Sequence, residues 1–375
     1  MKAFRTIAWG LRLVPRDRGW CWLLLCIALC GRAAGATCQI ADQPAQETTA
    51  KPESVQPAYP HKDISVRKLG EGVHSYWLIE PIEPIPARAP VIVFLHGWLS
   101  INPGIYGAWL EHLARRGAIV IYPRYQTDIT TPVVDFLPNA RQAIADALDV
   151  LSTGSNLIRP DFDRFALIGH SAGGNLAAQL AAVLVSPLPT PRAVVCMMPG
   201  EVLPQSEPRL DRIPGQTLLL VVAGDRDRIV GDHRARQIYQ EATAIPADRK
   251  EYVLYRSDRS GPLSLVADHT APTGALLDLD TGDGPFRQIQ MTQATVDPLD
   301  RYGFWRVTDL TLRAAFSGQT LDEATQNGAL IRDLGHWGQG EPVRTPLCGD
   351  DLESIPRVIP SNGARLIAWP ALPGT

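Results

Sequence analysis

Phe165-Ala166-Leu167-Ile168-Gly169-His170-Ser171-Ala172-Gly173-Gly174-Asn175 joins a short apolar run to a long Ala/Leu-rich one. The short run, Phe165 to Ile168, has the length and apolar continuity of a buried strand. The long run, from about Asn175, reads as a helix. Gly-x-Ser-x-Gly between a strand and a helix is a nucleophile elbow, a turn so tight that its serine takes a strained backbone conformation. Gly169 and Gly173 are needed because a side chain at either would meet the neighbouring strand or helix. The turn lifts the Ser171 hydroxyl off the C-terminal edge of the sheet. It also sets it at a helix N-terminus, where free N–H groups stabilise negative charge. Gly and Ser are common, so the flanking strand and helix carry this reading more than the bare pattern does.

Outward from the elbow, strand-like and helix-like segments alternate. Ile64 to Val66 and Ser75 to Ile79 form a hairpin pattern around Gly70-Glu71-Gly72. Val91 to Leu95 is a continuous apolar run, as a strand covered on both faces should be. A helix over Tyr106–Arg116 is closed by Gly117, and Ala118 to Tyr122 is the next strand. Leu137, Ala140, Ile144, Ala147, Leu148 and Leu151 recur at helical spacing. Beyond the elbow, strands are expected over Ala193–Met198, Thr217–Ala223 and Tyr252–Tyr255, with a helix over Arg234–Thr243. Residues 256–296, rich in Gly, Asp, Thr and Pro, read as an irregular excursion, and Asp297 to Phe316 as a returning helix. The alternation predicts an α/β fold, a parallel sheet with helices on both faces. In such sheets the reactive groups gather at the C-terminal ends of strands.

Serine is a weak nucleophile at neutral pH and needs a histidine to take its proton and an acid to orient that histidine. The acid is expected after the Thr217–Ala223 strand, where Asp225 and Asp227 both stand. Asp227 is preferred, since a Gly-x-x-Asp turn returns its carboxylate toward the sheet edge, while Asp225 braces the turn. His269 follows the Tyr252–Tyr255 strand and is the preferred base, with His336 as the alternative. His233 is too near Asp227 in sequence to reach back around the turn. Phe94-Leu95-His96-Gly97-Trp98 ends a strand where backbone N–H groups can meet a developing oxyanion, so Trp98 and Ala172 are the oxyanion-hole candidates. His96 is read as a structural support of that loop and His170 as a packed neighbour of Ser171. Trp98, Tyr106, Trp305 and Trp337 are the candidates for an apolar substrate pocket, against the competing reading that helical aromatics are core.

His96-Gly97-Trp98, Gly169-His170-Ser171-Ala172-Gly173-Gly174, the turn from Gly224 to Asp227, and Asp268-His269 together resemble the α/β-hydrolase superfamily, in its serine esterase, lipase and dienelactone-hydrolase-like branch. The resemblance covers roughly residues 64–270 and includes the order Ser, Asp, His along the chain. It implies a mainly parallel eight-stranded sheet and hydrolysis through an acyl-enzyme with no cofactor and no metal. The oxyanion loop departs from the His-Gly-Gly-Gly of one large esterase group. The C-terminal segment beyond the resemblance matches no familiar pattern.

Composition sets the setting. Residues 1–36 hold six basic residues and one acid, so a chain of net charge −3 becomes more acidic without them. With no basic cluster, nucleic acid is not an expected partner. A basic stretch, an apolar core from Trp20 to Cys30 and Ala34-Gly35-Ala36 form an export signal cleaved near Ala36. The core is too short for a helix to cross a bilayer. Residues 37–60 read as a flexible leader and 61–375 as the folded domain. Cys196 lies in an apolar run, whereas Cys38 and Cys348 sit in polar segments and are expected to pair in an oxidising compartment. The expected function is an exported serine hydrolase acting on a small-molecule or lipid ester. The alternatives are a peptidase or amidase on the same residues, or a noncatalytic binding protein of the same fold.

Overall fold

The strands are β1 (Asp63–Leu69), β2 (Tyr76–Ile82), β3 (Arg88–Leu95), β4 (Ile119–Pro123), β5 (Arg159–His170), β6 (Ala193–Met197), β7 (Leu218–Gly224), β8 (Lys250–Tyr255), β9 (Asp258–Ser260), β10 (Leu263–Leu265) and β11 (Leu347–Cys348). Nine of them make one sheet, in the order β1-β2-β4-β3-β5-β6-β7-β8-β11. β4, β3, β5, β6, β7 and β8 run parallel, while β1, β2 and β11 are antiparallel additions at the two edges. This computed structural model describes residues 59–361 except 155–157, 184–185, 202–208, 339 and 350. The described residues belong to the compact unit Thr48–Thr375. The other unit, Met1–Glu47, lies outside them, as do the expected signal segment 1–36 and all but the last two residues of the leader.

The helices used below are α1 (Gly107–Arg115), α2 (Phe136–Thr153), α3 (Ala172–Val183), α4 (His233–Glu241), α5 (Arg287–Gln293) and α6 (Trp305–Ser317). Side chains alternate across a strand, so each central strand feeds two cores. Val91, Val93 and Leu95 of β3 join Ala140 and Ile144 of α2, Leu176 of α3 and Ile238 of α4. Ile92 and Phe94 join Trp109 and Leu110 of α1 and Trp305 and Val307 of α6 on the other face. Every residue of β6 and β7 is buried, which is why these strands read as unbroken apolar runs rather than alternating ones.

Three expectations need correction. Among the described residues the sheet has nine strands, not the eight that the resemblance implied, because the two residues of β11 pair with Val253 and Leu254 on the outer side of β8. The excursion 256–296 is not wholly irregular: it holds the β9–β10 hairpin and α5. α3 begins at Ala172 rather than Asn175, since the elbow passes into helix directly after the serine. The C-terminal helical segment opens with a π-helical turn, Asp300–Phe304, continuous with α6. Among the described residues no helix is long and apolar enough to cross a membrane. Cys196 is fully buried in β6, and burial pushes its thiol up to about 12. Among the described residues Cys348, on β11, has no disulfide partner, while Cys38, its expected partner, lies outside them.

Candidate active site

Ser171 follows the last residue of β5 with φ 56°, a conformation that a residue with a β-carbon resists. Its N–H donates to Met197 O at 3.0 Å, and its carbonyl accepts from Gly174 N and Gly200 N at 3.0 Å each. The turn closes only on glycine. A β-carbon on Gly169 would lie 2.0 Å from Gly173 O, and one on Gly173 would lie 2.1 Å from Leu95 O. The tight turn therefore comes from close backbone packing of β5, α3 and β3.

Asp227 lies past the end of β7, with its side chain turned inward and fully buried. Its Oδ1 accepts from Ile229 N at 3.0 Å and Val230 N at 2.9 Å, which leaves Oδ2 for His269. Burial acts to raise the pKa of this carboxyl. His269 and the two N–H groups outweigh that and hold it below its ordinary value. His269 stands after the β9–β10 hairpin, its Nδ1 2.7 Å from Asp227 Oδ2 and its Nε2 2.8 Å from Ser171 Oγ. A carboxylate can only accept, so Nδ1 carries the proton and Nε2 is free to accept from the serine. The structure thus brings Ser171, His269 and Asp227 into one line. Asp225, the alternative acid, is spent elsewhere: its Oδ1 accepts from Ser257 N at 2.9 Å and Ser257 Oγ at 2.6 Å, a brace between the turn and β8. His336, the alternative base, is exposed and forms a bridge with Pro342.

The loop after β3 is held from several sides. His96 stacks on Tyr125 with ring centroids 4.1 Å apart, and burial pushes its pKa down to about 4. Tyr125 O–H donates to His96 O, and Leu99 N–H donates to Gln126 Oε1 at 2.8 Å. Gly97 N–H is occupied, donating to Tyr106 Oη at 2.9 Å. Among the described residues, neither Trp98 N–H nor Ala172 N–H has a partner. Trp98 N–H follows Gly97, where a β-carbon would lie 3.3 Å from Ser171 Cβ, and Ala172 N–H opens α3 directly after the serine.

His170 makes a buried link that its sequence position did not reveal. Its Nε2 lies 2.9 Å from His269 O and its Nδ1 2.8 Å from Tyr106 Oη. Burial, and then the neighbouring His269, push its pKa down to about 3, so the ring is neutral and has one N–H. A carbonyl cannot donate, so that N–H is on Nε2, and Tyr106 O–H must donate to Nδ1. A single path therefore runs from Gly97 through Tyr106 and His170 to the backbone of His269.

Of the four aromatic pocket candidates, three are core residues. Tyr106, Trp305 and Trp337 are buried, because Tyr106 serves the link just described, Trp305 stacks on His112, and Trp337 Nε1–H donates to Asp258. Trp98 alone is partly exposed, packed against the edge of the core. The excursion also reaches this end of the sheet. Asn102 Nδ2 donates to Asp280 Oδ1 at 2.6 Å, and Asn102 Oδ1 accepts from Gly104 N at 2.9 Å and Thr281 N at 3.2 Å. Asp280 also pairs with Arg287, and Gln290 Nε2 donates to Ser100 Oγ at 2.9 Å. Nothing in the local sequence marks Asn102; its signal is 178 residues away.

Residues 92–231 match a family model described as an α/β hydrolase fold. Chlorophyllase-2 of Arabidopsis thaliana is 32% identical over 97 residues, a stretch covering 24% of this chain and 29% of that protein. The similarity therefore spans under a third of the relative's length.

Proposed function

We propose that this chain, an α/β hydrolase by fold, cleaves carboxylic esters through an acyl-enzyme on Ser171. Ser171 Oγ attacks the ester carbonyl carbon while His269 Nε2 takes the hydroxyl proton, and the carbonyl oxygen becomes an anion facing Trp98 N–H and Ala172 N–H. Collapse of this adduct breaks the bond to the alcohol, which leaves with the proton from His269. Water then repeats the steps, releasing the acid and restoring the serine. Asp227 keeps the Nδ1 proton in place and stabilises the imidazolium that forms twice per cycle. Asp227 acts as a carboxylate here, consistent with its lowered pKa.

The observation that carries this reading is the hydrogen-bonded line from Ser171 through His269 to Asp227, on a serine held at φ 56°. The similarity to a protein named chlorophyllase supports an esterase-like activity. The test begins with a fluorophosphonate probe on the purified chain. Covalent labelling at Ser171 is expected, and an unlabelled, folded chain would favour a noncatalytic binding protein. Rates on p-nitrophenyl esters and amino-acid anilides then decide the bond. Faster ester cleavage is expected, and preferential anilide cleavage would make the chain an amidase.

Export with cleavage near Ala36 belongs to the same proposal, motivated by the basic stretch, apolar core and Ala34-Gly35-Ala36. N-terminal sequencing of the native protein should begin at Thr37. In an oxidising compartment Cys38 and Cys348 would pair, and non-reducing peptide mapping should find the linked peptides.

A further inference from the structure

Beside the outer faces of the Asp227 and His269 loops lies an open surface cavity of about 650 Å³. Ser171 and His269 are not among its walls. Arg226, Arg228, Arg259 and Arg344 line it, with Asp258 and Asp268. It holds two more cations than anions, on a chain whose net charge is −3.

The arginines are only partly offset: the Asp258 carboxylate is drawn toward Arg344 without forming an ion pair with it. Among the described residues none of the four makes an ion pair. Arg228 Nη1 donates to Ile359 O at 3.3 Å, Arg259 Nε to Gly261 O at 2.9 Å, and Arg344 Nη1 to Ser257 O at 3.4 Å, all uncharged carbonyls. The aspartates are occupied by uncharged donors. Asp258 Oδ2 accepts from Trp337 Nε1 and Arg344 N, at 2.8 Å each, and its Oδ1 from Arg259 N at 2.8 Å. Asp268 Oδ1 accepts from Thr270 N and Thr270 Oγ1, at 2.9 Å each, and from Ala271 N at 3.0 Å. Nearby, burial and then the like charge of Arg344 lower the pKa of Arg256, against the opposing pull of Asp225 and Asp258.

The frame is already built. Arg226 N–H donates to Ala267 O at 3.0 Å, Ala267 N–H to Ser257 Oγ at 3.0 Å, and Ser257 Oγ–H to Asp225 Oδ1 at 2.6 Å. Asp227 turns inward, and its neighbours Arg226 and Arg228 are exposed. A ligand would therefore meet guanidinium groups on a backbone that needs no reordering, which keeps the entropic cost of binding low. Guanidinium forks match the paired oxygens of carboxylate and phosphate. Leu265 and the exposed Val266 add an apolar wall.

We infer that this cavity binds a small organic oxyanion, a carboxylate or phosphate monoester on an apolar body, at a site separate from Ser171. The inference concerns binding and holds whether or not the chain is an esterase. Calorimetric titration of the full chain with octyl phosphate below its micellar concentration tests it. Saturable binding is expected, at least about tenfold weaker in Arg226→Gln/Arg344→Gln and unchanged in Arg192→Gln, an exposed arginine just before β6 at the opposite end of the strands. Should the double variant fail to fold, Arg259→Gln, whose side chain contacts only a hairpin carbonyl, must weaken binding instead. Equal affinity in the wild type and the cavity variants would overturn the site. Inorganic phosphate binding as tightly as octyl phosphate would overturn the organic ligand in favour of a free anion. Binding to phosphatidylglycerol vesicles without binding to octyl phosphate would overturn the small ligand in favour of a membrane surface.

Discussion

Ser171 is surrounded by contacts that do not depend on its hydroxyl: four backbone hydrogen bonds, to Met197, Gly174, Asn175 and Gly200, and two glycines in close packing hold the turn. Ser171→Ala should therefore fold normally while kcat falls on the order of 10⁶-fold, as measured by ester turnover alongside circular dichroism. Retention of a few per cent of activity in a clean sample would remove the nucleophile. The acid and base are best tested in pairs. Asp227→Asn should cost about 10⁴ in kcat by disturbing the imidazole tautomer, and Asp225→Asn far less, since that carboxylate only braces Ser257. His269→Ala should abolish the fast reaction, while the exposed His336 should be dispensable. A different residue carries a pH dependence of the fold. Burial, with the neighbouring Asp297, raises the Asp300 carboxyl from 3.8 to about 8, and its Oδ1 has no partner. With the folded-state value raised, the folded form holds a proton that the unfolded form releases between these values. The stability that this group contributes is full below about 3.8, declines as pH rises, and is gone above about 8. Asp300→Asn should flatten that decline. Thermal melts at pH 5 and pH 9 should converge in the variant, and an unchanged slope would show that Asp300 is ordinary.

Between elements, the Tyr106 hydroxyl ties the turn before α1 to the β3 loop and to the elbow. Tyr106→Phe would leave Gly97 N–H and His170 Nδ1 buried without partners, each costing about 1–3 kcal/mol. Lower stability is expected, together with a fall in kcat larger than any change in KM, because the link ends on the backbone of His269. A variant with wild-type kcat would confine Tyr106 to packing. This contact also explains what the sequence can and cannot disclose. β3, β6 and β7 were legible because full burial demands unbroken apolar runs, and Ser171 because its turn demands glycines at fixed offsets. Asp227 and His269 follow from chain order and strand ends. β9, β10 and β11, with two or three residues each, have no period to read. The roles of His170, Tyr106 and Asn102 depend on partners 99, 64 and 178 residues away, which no local pattern encodes.

For the whole molecule, the two borders of the sheet differ. β1 carries Asp63, Arg67 and Lys68, charges that discourage another strand from docking. At the opposite border β8 reads Lys-Glu-Tyr-Val-Leu-Tyr, with high β-propensity over its last four residues, and among the described residues only β11 pairs with it there. Leu347→Pro would take one of the two backbone donors from β11 and leave the Cys348 thiol for its proposed partner. Little loss of melting temperature is expected from so short a strand. The variant should instead form higher-order species on concentration, seen by light scattering and size exclusion. A variant as monodisperse as the wild type would show that the neighbouring segments shield β8 unaided. Two residues near the end of the chain then matter less for holding one molecule together than for keeping separate molecules from growing into a shared, open-ended sheet.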